Sequence, residues 1–152
     1  MTVDVLTEIE IARPPAEVAA FAADPANATR WYENIESVQP RYAGRPTIGS
    51  RVEFTARFLG RSLTYTYEIR ELEPGRRLVM STDEGPFPME TTYTWEEAPG
   101  SGTRMTLRNR GEPSGFAGLA APLMERAMRR ANRKDLARLK AVLETQRGLA
   151  PG

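Results

Sequence analysis

The chain has 152 residues, a formal net charge of +1, and neither cysteine nor histidine. That length suits one domain, and the missing residue types exclude disulfides, thiolate nucleophiles, Ser-His-Asp triads, imidazole bases and metal sites with histidine or cysteine ligands. The near-zero net charge argues against a dedicated nucleic-acid binder.

From these limits we expect a single domain over residues 1–147 and a tail over residues 148–152, with no metal and no cofactor. Acid–base chemistry at neutral pH would have to come from a perturbed carboxylate, a tyrosine, a lysine or an ordered water. The N-terminus has no basic-then-apolar signal pattern, and no apolar run approaches the ~20 residues that span a membrane. We therefore expect a cytoplasmic protein with no nucleic-acid partner and no integral membrane association.

The chain opens with a predicted strand and two short helical segments. The strand alternates inward and polar positions, and its inward positions are Val3, Val5, Thr7, Ile9 and Ile11. Pro14-Pro15 ends this strand, and a short helix is predicted over residues 16–23. Asp24-Pro25 begins a second helical segment that leads into Trp31-Tyr32.

Six further strands follow, most of them joined by hairpin turns. We place them at residues 35–42, 51–59, 62–72, 76–83, 89–97 and 103–110. Pro74-Gly75 predicts a type II turn, since proline fixes φ and glycine accepts a positive φ. Each strand has one apolar and one solvated face, which predicts an antiparallel meander packed on one core. The fifth strand is ambiguous, and we expect its bulkier face inward. That face carries Leu78, Met80 and Thr82, and the other carries Val79, Ser81 and Asp83.

A helical period follows Gly115 and continues to about Arg147. Pro122 lies inside this pattern and should begin or kink the main helix. Asn132 interrupts the apolar stripe, and it lies either at the edge of the stripe or with its amide in the interior. Seven basic residues from Arg126 to Lys140 predict a solvated face, with contact to anionic lipid or RNA as the less favoured interpretation. The apolar stripe comprises Phe116, Leu119, Leu123, Met124, Ala127, Met128, Leu136, Leu139 and Leu143.

Several stretches, taken in order along the chain, match a known pattern. They are Ile11 to Val18, Asp24-Pro25 with Trp31, Ile48 to Val52, Tyr67 to Gly75, Gly102 to Arg104, and Asp135 to Glu144. Together with the order of elements, they resemble the START-like, or SRPBCC, superfamily and its polyketide cyclase/dehydrase-type branch. A shared fold does not fix function.

The resemblance implies an α+β fold of the helix-grip (START/Bet v 1-like) type. In this fold a curved seven-stranded antiparallel sheet surrounds a long C-terminal helix, and two short helices follow the first strand. The resemblance also implies a deep cavity between sheet and helix, which other members of the superfamily use for lipids, plant hormones, polyketides and quinones.

The candidate ligand-binding residues are the inward aromatic and polar side chains. Three tyrosines share the inward face, and their hydroxyls need partners or a polar cavity because an unpaired buried hydroxyl costs ~1–3 kcal/mol. A mostly apolar pocket with a few convergent polar groups is the usual form of a ligand site. We expect Trp31 to act mainly as a structural plug near the mouth. The candidates are Trp31, Phe54, Phe58, Tyr65, Tyr67, Met80, Thr91, Tyr93, Asn109, Leu119 and Leu123.

Three functions stay open at this point. The first is binding of a small hydrophobic ligand (lipid, polyketide or quinone-like) by a monomer or homodimer. The second is a polyketide cyclase, aromatase or dehydratase that positions its substrate and polarises carbonyls through the catalytic candidates Tyr65, Tyr67 and Tyr93. The missing histidine weakens that hypothesis. The third is a protein-interaction module of the chaperone-activator type, whose basic helix docks on an acidic partner.

Overall fold

The computed structural model describes residues 2–58, 60–84, 88–112 and 120–145, without the side chains of Phe58, Asp83 and Glu84. Seven strands and three α-helices follow each other in the described ranges, with a 3₁₀ turn at Pro25–Asn27. They are β1 (Val3–Ile11), α1 (Pro15–Ala22), α2 (Ala28–Trp31), β2 (Ile35–Pro40), β3 (Arg51–Phe58), β4 (Arg61–Glu73), β5 (Arg77–Glu84), β6 (Met89–Ala98), β7 (Gly102–Gly111) and α3 (Ala121–Thr145).

The strands form one antiparallel sheet in the order β1-β7-β6-β5-β4-β3-β2. Register shifts between β4 and β5, and between β2 and β3, mark bulges that increase local twist and curvature. The α+β helix-grip prediction is confirmed, and strand bounds differ from those predicted by one or two residues. Gly75 has a φ of 77°, as a type II turn at Pro74-Gly75 requires. The predicted loop residues 85–87, the helix residues 116–119 and 146–147, and the tail over 148–152 lie outside the described residues.

The predicted orientation of β5, with its bulkier face inward, is also observed. Leu78, Met80 and Thr82 are all buried, and Leu78 and Met80 lie against the interior. Val79, on the opposite face, is buried as well. Because both faces of β5 are covered at this point, its sequence shows no clean apolar-to-polar alternation, and this is why its orientation was ambiguous.

Helix α3 is fastened along the free edge of β1. Near its start, Glu125 accepts a hydrogen bond from the Asp4 amide at 3.0 Å. Near its end, Glu144 accepts one from the Ala12 amide at 2.8 Å. The helix rises about 28 Å between the two glutamates, and the strand extends about 27 Å between the two amides. The helix therefore runs beside β1 over its whole length and covers the edge of the sheet.

The buried side chains form two clusters, one at each end of α3. The smaller joins Met124 and Met128 to β1 and β4 through Val3, Val5 and Leu63. The larger packs the C-terminal half of α3 on the sheet and on α1 and α2. Its helix residues are Leu136, Leu139 and Leu143. The apolar stripe of α3 is thus interrupted between Met128 and Leu136.

In the described part of the chain, no helix combines the length and the apolar character that a membrane crossing requires.

Replacing Trp31 with alanine should lower the free energy of unfolding by about 3–5 kcal/mol, because it leaves a large void in the core. The Trp31 side chain is fully buried and packs on the rings of Tyr32 and Tyr93, with centroids 4.0 and 5.7 Å away. Urea denaturation measures the change. Leu6→Ala is the control, since Leu6 is 58% exposed and should shift stability by no more than about 0.5 kcal/mol. Equal losses in the two variants would contradict a structural role for Trp31.

Candidate functional site

A cavity of about 170 Å³ lies between the concave face of the sheet and α3. It occupies the interval between the two core clusters, where the apolar stripe of α3 is interrupted. Its walls come from residues 32–34, which form the segment after α2, from strands β2 to β7, and from α3. The lining residues are Tyr32, Asn34, Ile35, Phe54, Ala56, Arg57, Tyr65, Tyr67, Met80, Met89, Thr91, Tyr93, Asn109, Met128, Ala131, Asn132 and Asp135.

Most of the candidate residues from the sequence meet at this cavity. Trp31 does not line it but lies on a smaller, inner space of about 20 Å³ on the far side of Tyr93 and Phe54. The Phe58 side chain and Leu119 lie outside the described residues. The candidates that line the main cavity are Phe54, Tyr65, Tyr67, Met80, Thr91, Tyr93 and Asn109.

Leu123 requires a correction. It is 55% exposed and is not among the lining residues. The next residue, Met124, is fully buried, and consecutive residues on a helix point about 100° apart. With Met124 and Met128 on the inner face, Leu123 points toward solvent.

Hydroxyl and amide groups on the sheet side pair with one another across the cavity wall. The Tyr32 and Tyr93 hydroxyls share a short hydrogen bond, which links the segment after α2 to β6. In the cross-strand pair of β6 and β7 next to Tyr93 on the same face, the Thr91 hydroxyl donates to Asn109 Oδ1 at 2.8 Å. Thr91 also hydrogen-bonds Tyr67. The cavity is therefore mostly apolar, with its polar groups organised in a few pairs.

The tyrosines of the cavity act as hydrogen-bond donors rather than bases at neutral pH. Burial raises the pKa of Tyr67 to about 12, although its hydrogen bond with Thr91 opposes the shift. Burial also raises the pKa values of Tyr32, Tyr65 and Tyr93. Removing a proton from any of them would place a negative charge in a poorly solvated interior.

Asp135 brings a carboxyl group to the α3 wall. The residue is only 4% exposed, and its Oδ1 accepts a hydrogen bond from the Glu33 amide at 3.0 Å. Burial raises the pKa of Asp135 from 3.8 to about 6, while the Glu33 amide and the charge of Arg138 act in the opposite direction. A carboxyl with such a pKa exchanges protons near neutral pH, which suits general acid–base chemistry.

Asn132 lies one helical turn before Asp135 and faces the same cavity. It is 6% exposed, and its Nδ2 has no hydrogen-bond partner in the described parts of the chain. The question left open by the sequence is thus resolved in favour of the interior. An unpaired buried donor destabilises a folded protein by about 1–3 kcal/mol, so packing alone does not explain it.

Reasoning from the sequence missed Tyr32 and Asp135 as site residues. A signal for Asp135 exists, because it lies three residues after Asn132 and eleven after Met124, on the same inner stripe. Tyr32 had no such signal, since its position depends on how the segment after α2 meets β6. In the described ranges, no group of three acidic side chains is placed to hold a metal ion.

Arg57 marks the side on which the cavity meets solvent. It is an exposed lining residue and forms an ion pair with Glu36 at 3.3 Å. Its amide donates to the Asn34 carbonyl at 2.7 Å, which holds β3 against the segment after α2. The lining of the cavity therefore reaches solvent at Arg57, beside the contact between β3 and the segment after α2.

We expect the stabilising contribution of Asp135 to be present below pH 4 and lost as the pH rises through 6. Its pKa is raised on folding from 3.8 to about 6, so the folded state binds the proton more tightly than the unfolded state. Relative to Asp135→Asn, the free energy of unfolding should fall by about 2 kcal/mol between pH 4 and pH 7. Urea denaturation at several pH values measures the difference.

Glu144→Gln is the matched control for this titration. Hydrogen bonds from Lys140 and from the Ala12 amide lower the pKa of Glu144, so its contribution should instead be lost as the pH falls. A difference between the native protein and Asp135→Asn that stays constant from pH 4 to pH 7 would contradict the assignment.

Comparisons with solved structures agree with this architecture. The protein TTHA0849 from Thermus thermophilus is 25% identical, with a TM-score of 0.79, and the match covers 94% of this chain and 99% of that chain. A START superfamily protein from Mycobacterium smegmatis is 14% identical, with a TM-score of 0.79 and coverage of 93% and 97%. The Zhui aromatase/cyclase from Streptomyces sp. R1128 is 19% identical, with a TM-score of 0.76 and coverage of 95% and 94%.

No curated protein matches the chain. The family model described as polyketide cyclase / dehydrase and lipid transport matches residues 2–144, nearly the whole chain. This match, together with the helix-grip fold and its cavity, confirms the resemblance found in the sequence. The chain therefore belongs to the polyketide cyclase / dehydrase and lipid transport family.

Proposed function

We propose that this protein binds a small hydrophobic molecule in the cavity between the sheet and α3. The observation that carries the proposal is the cavity itself. It lies between the two core clusters, beside Asn132 and Asp135. A chain selected only for stability would fill such a space, since voids in a core are destabilising. The walls are mostly aromatic and aliphatic, with a few convergent polar groups, as in typical small-molecule sites.

The volume favours a small ligand over a long-chain lipid. A cavity of about 150 Å³ holds one benzene molecule, whereas drug-sized ligands occupy pockets of about 300–1,000 Å³. At about 170 Å³, this cavity accommodates a quinone-like or short polyketide-like ring system. Burial of an apolar ligand contributes roughly 25 cal/mol per Å² of surface removed from water, before the cost of association.

Filling the cavity with a side chain should abolish ligand binding. Ala56 lines the cavity, so the ring in Ala56→Phe would occupy the ligand's space. Thr55→Phe is the matched control, since it places the same ring on the opposite face of β3, where Thr55 pairs with Thr64. We expect toluene, followed by ligand-observed NMR, to bind the native protein and Thr55→Phe but to bind Ala56→Phe at least about tenfold more weakly. Equal toluene affinity in the two variants would contradict this location of the site.

Mass spectrometry of compounds released when the purified native protein is denatured provides a direct search for the natural ligand. A stoichiometric small molecule would support retention of a ligand. Turnover of that molecule would then distinguish a carrier or sensor from an enzyme.

A second candidate function is cyclisation or dehydration of a polyketide-like substrate, and the raised pKa of Asp135 favours it. A carboxyl that is partly protonated near neutral pH can give a proton to a ketone oxygen or a leaving hydroxyl. Tyr65, Tyr67 and Tyr93 would polarise carbonyls by hydrogen bonding, and the confined walls would fold a flexible chain into a reactive shape. The family match is consistent with this chemistry.

If the protein is such an enzyme, Asp135→Asn should slow cyclisation of a short poly-β-ketone thioester by about 10²–10⁴-fold. The native rate should decline as the pH rises through about 6, because the acid form is then lost. Product formation over the spontaneous background is measured by liquid chromatography and mass spectrometry. If replacing Tyr65, Tyr67 and Tyr93 together with phenylalanine leaves turnover unchanged, the role given to these tyrosines is wrong.

The remaining inferences from the sequence stay predictions. They include a cytoplasmic location, a monomer or homodimer, the lack of a nucleic-acid partner, and the protein-interaction alternative. The protein-interaction alternative rests on exposed cations of α3, namely Arg126, Arg130, Arg133 and Lys134. If charge reversal at Arg129, Arg130 and Arg133 leaves a pull-down of protein partners unaffected, the protein-interaction alternative is ruled out.

A further inference from the structure

The α3 wall presents a hydrogen-bond donor that no described residue accepts. Asn132 Nδ2 is buried without a partner among the residues that the structure describes, and its side chain lines the main cavity. The amide of Asn109, on the sheet side of the cavity, behaves differently, since its Oδ1 accepts a hydrogen bond from Thr91. An apolar residue at position 132 would continue the stripe between Met128 and Leu136 without leaving a buried donor unpaired.

A second donor faces the same space from the sheet side. The Tyr32 and Tyr93 hydroxyls are hydrogen-bonded to each other, and such a pair uses only one of its two protons between the oxygens. The remaining hydroxyl proton can be donated to a third group. Both hydroxyls stay protonated at neutral pH because burial raises their pKa values.

The charges around the cavity favour binding of a neutral ligand over an anionic one. Asp135 lies one turn from Asn132 on the same wall, and its carboxyl would repel an anionic ligand once ionised. Arg57, the cation among the lining residues, is exposed and already paired with Glu36. Over the described ranges, the cavity lining thus offers hydrogen-bond donors to an uncharged oxygen and no unpaired cation to a carboxylate or phosphate.

We propose that Asn132 Nδ2 donates a hydrogen bond to a carbonyl oxygen of the ligand, and that the cavity takes a neutral, single-ring aromatic ketone or quinone-sized carbonyl compound. This inference rests on the proposed binding function and deepens it. The aromatic walls hold the ring, the volume of about 170 Å³ matches a single ring, and the α3 amide sets the position of the carbonyl. The remaining hydroxyl proton of the Tyr32–Tyr93 pair is available to a different polar group of the ligand.

Acetophenone and α-methylstyrene form a matched pair of probes, because they differ only in the replacement of C=O by C=CH₂. Calorimetric titration of the native protein should show the ketone binding about tenfold more tightly, as expected for pairing an otherwise unsatisfied buried donor. In Asn132→Leu the two affinities should become nearly equal. In the control Ala137→Leu, which places the same side chain on the exposed side of α3, the preference for the ketone should persist.

The outcomes separate the two proposals. If both probes bind the native protein equally, the donor is satisfied by a water or another group, and the carbonyl subsite is overturned while ligand binding stands. If the ketone preference survives in Asn132→Leu, the subsite is likewise overturned. If neither probe binds the native protein, the binding function fails together with the subsite.

A measurement on the native protein alone covers the case in which Asn132→Leu does not fold. The carbonyl stretch of ¹³C-labelled acetophenone should move to lower frequency on binding, relative to its value in a hydrocarbon solvent, because a hydrogen bond weakens the C=O bond. A bound carbonyl with its hydrocarbon-solvent frequency would overturn the proposal.

Discussion

The hydrogen bonds that fasten α3 along the edge of β1 determine the geometry of the whole interior. Glu125 and Glu144 accept from the amides of Asp4 and Ala12, and Lys140 donates to the Glu10 carbonyl at 2.8 Å. A free strand edge is open to pairing with another chain, and here the helix covers it. These bonds hold both ends of α3 beside β1, and the methionines and leucines of α3 pack in the two core clusters. The side chains at its centre therefore decide what the interior contains.

At that centre the helix carries polar groups instead of a continued apolar stripe. Met124 and Met128 pack in one cluster and Leu136 begins the other, while Asn132 and Asp135 face the space between them. Burying an amide and a carboxyl lowers stability unless they find partners. A local departure from good packing, supported by well-packed clusters on both sides, is typical of functional sites. This is the physical reason for locating function in the cavity rather than on the outer surface.

Electrostatics distinguish the interior from the outside of the sheet. Outer arginines are paired with acids across strands, as Arg108 is with Asp4 at 2.6 Å and Arg110 with Glu90 at 2.7 Å. Around the cavity, burial instead favours the neutral forms of Asp135 and the tyrosines. The site thus offers hydroxyl and amide donors in apolar surroundings, together with a carboxyl that takes up a proton as the pH falls through about 6. Such a set suits recognition of an uncharged carbonyl, and it also suits proton transfer to one.

The sequence by itself determined the order of elements, the alternation in most strands and the long helix, because these depend on local periodicity and turn chemistry. The same alternation brought Phe54, Tyr67 and Tyr93 to one face, which located most of the cavity wall. Only the tertiary structure decided the rest. Leu123 and Met124 are neighbours in one apolar run, and the position of α3 on β1 determines which of them is buried. That position also turns Asn132 and Asp135 inward. The contact of Tyr32 with Tyr93 joins residues 61 positions apart, and no local pattern encodes it.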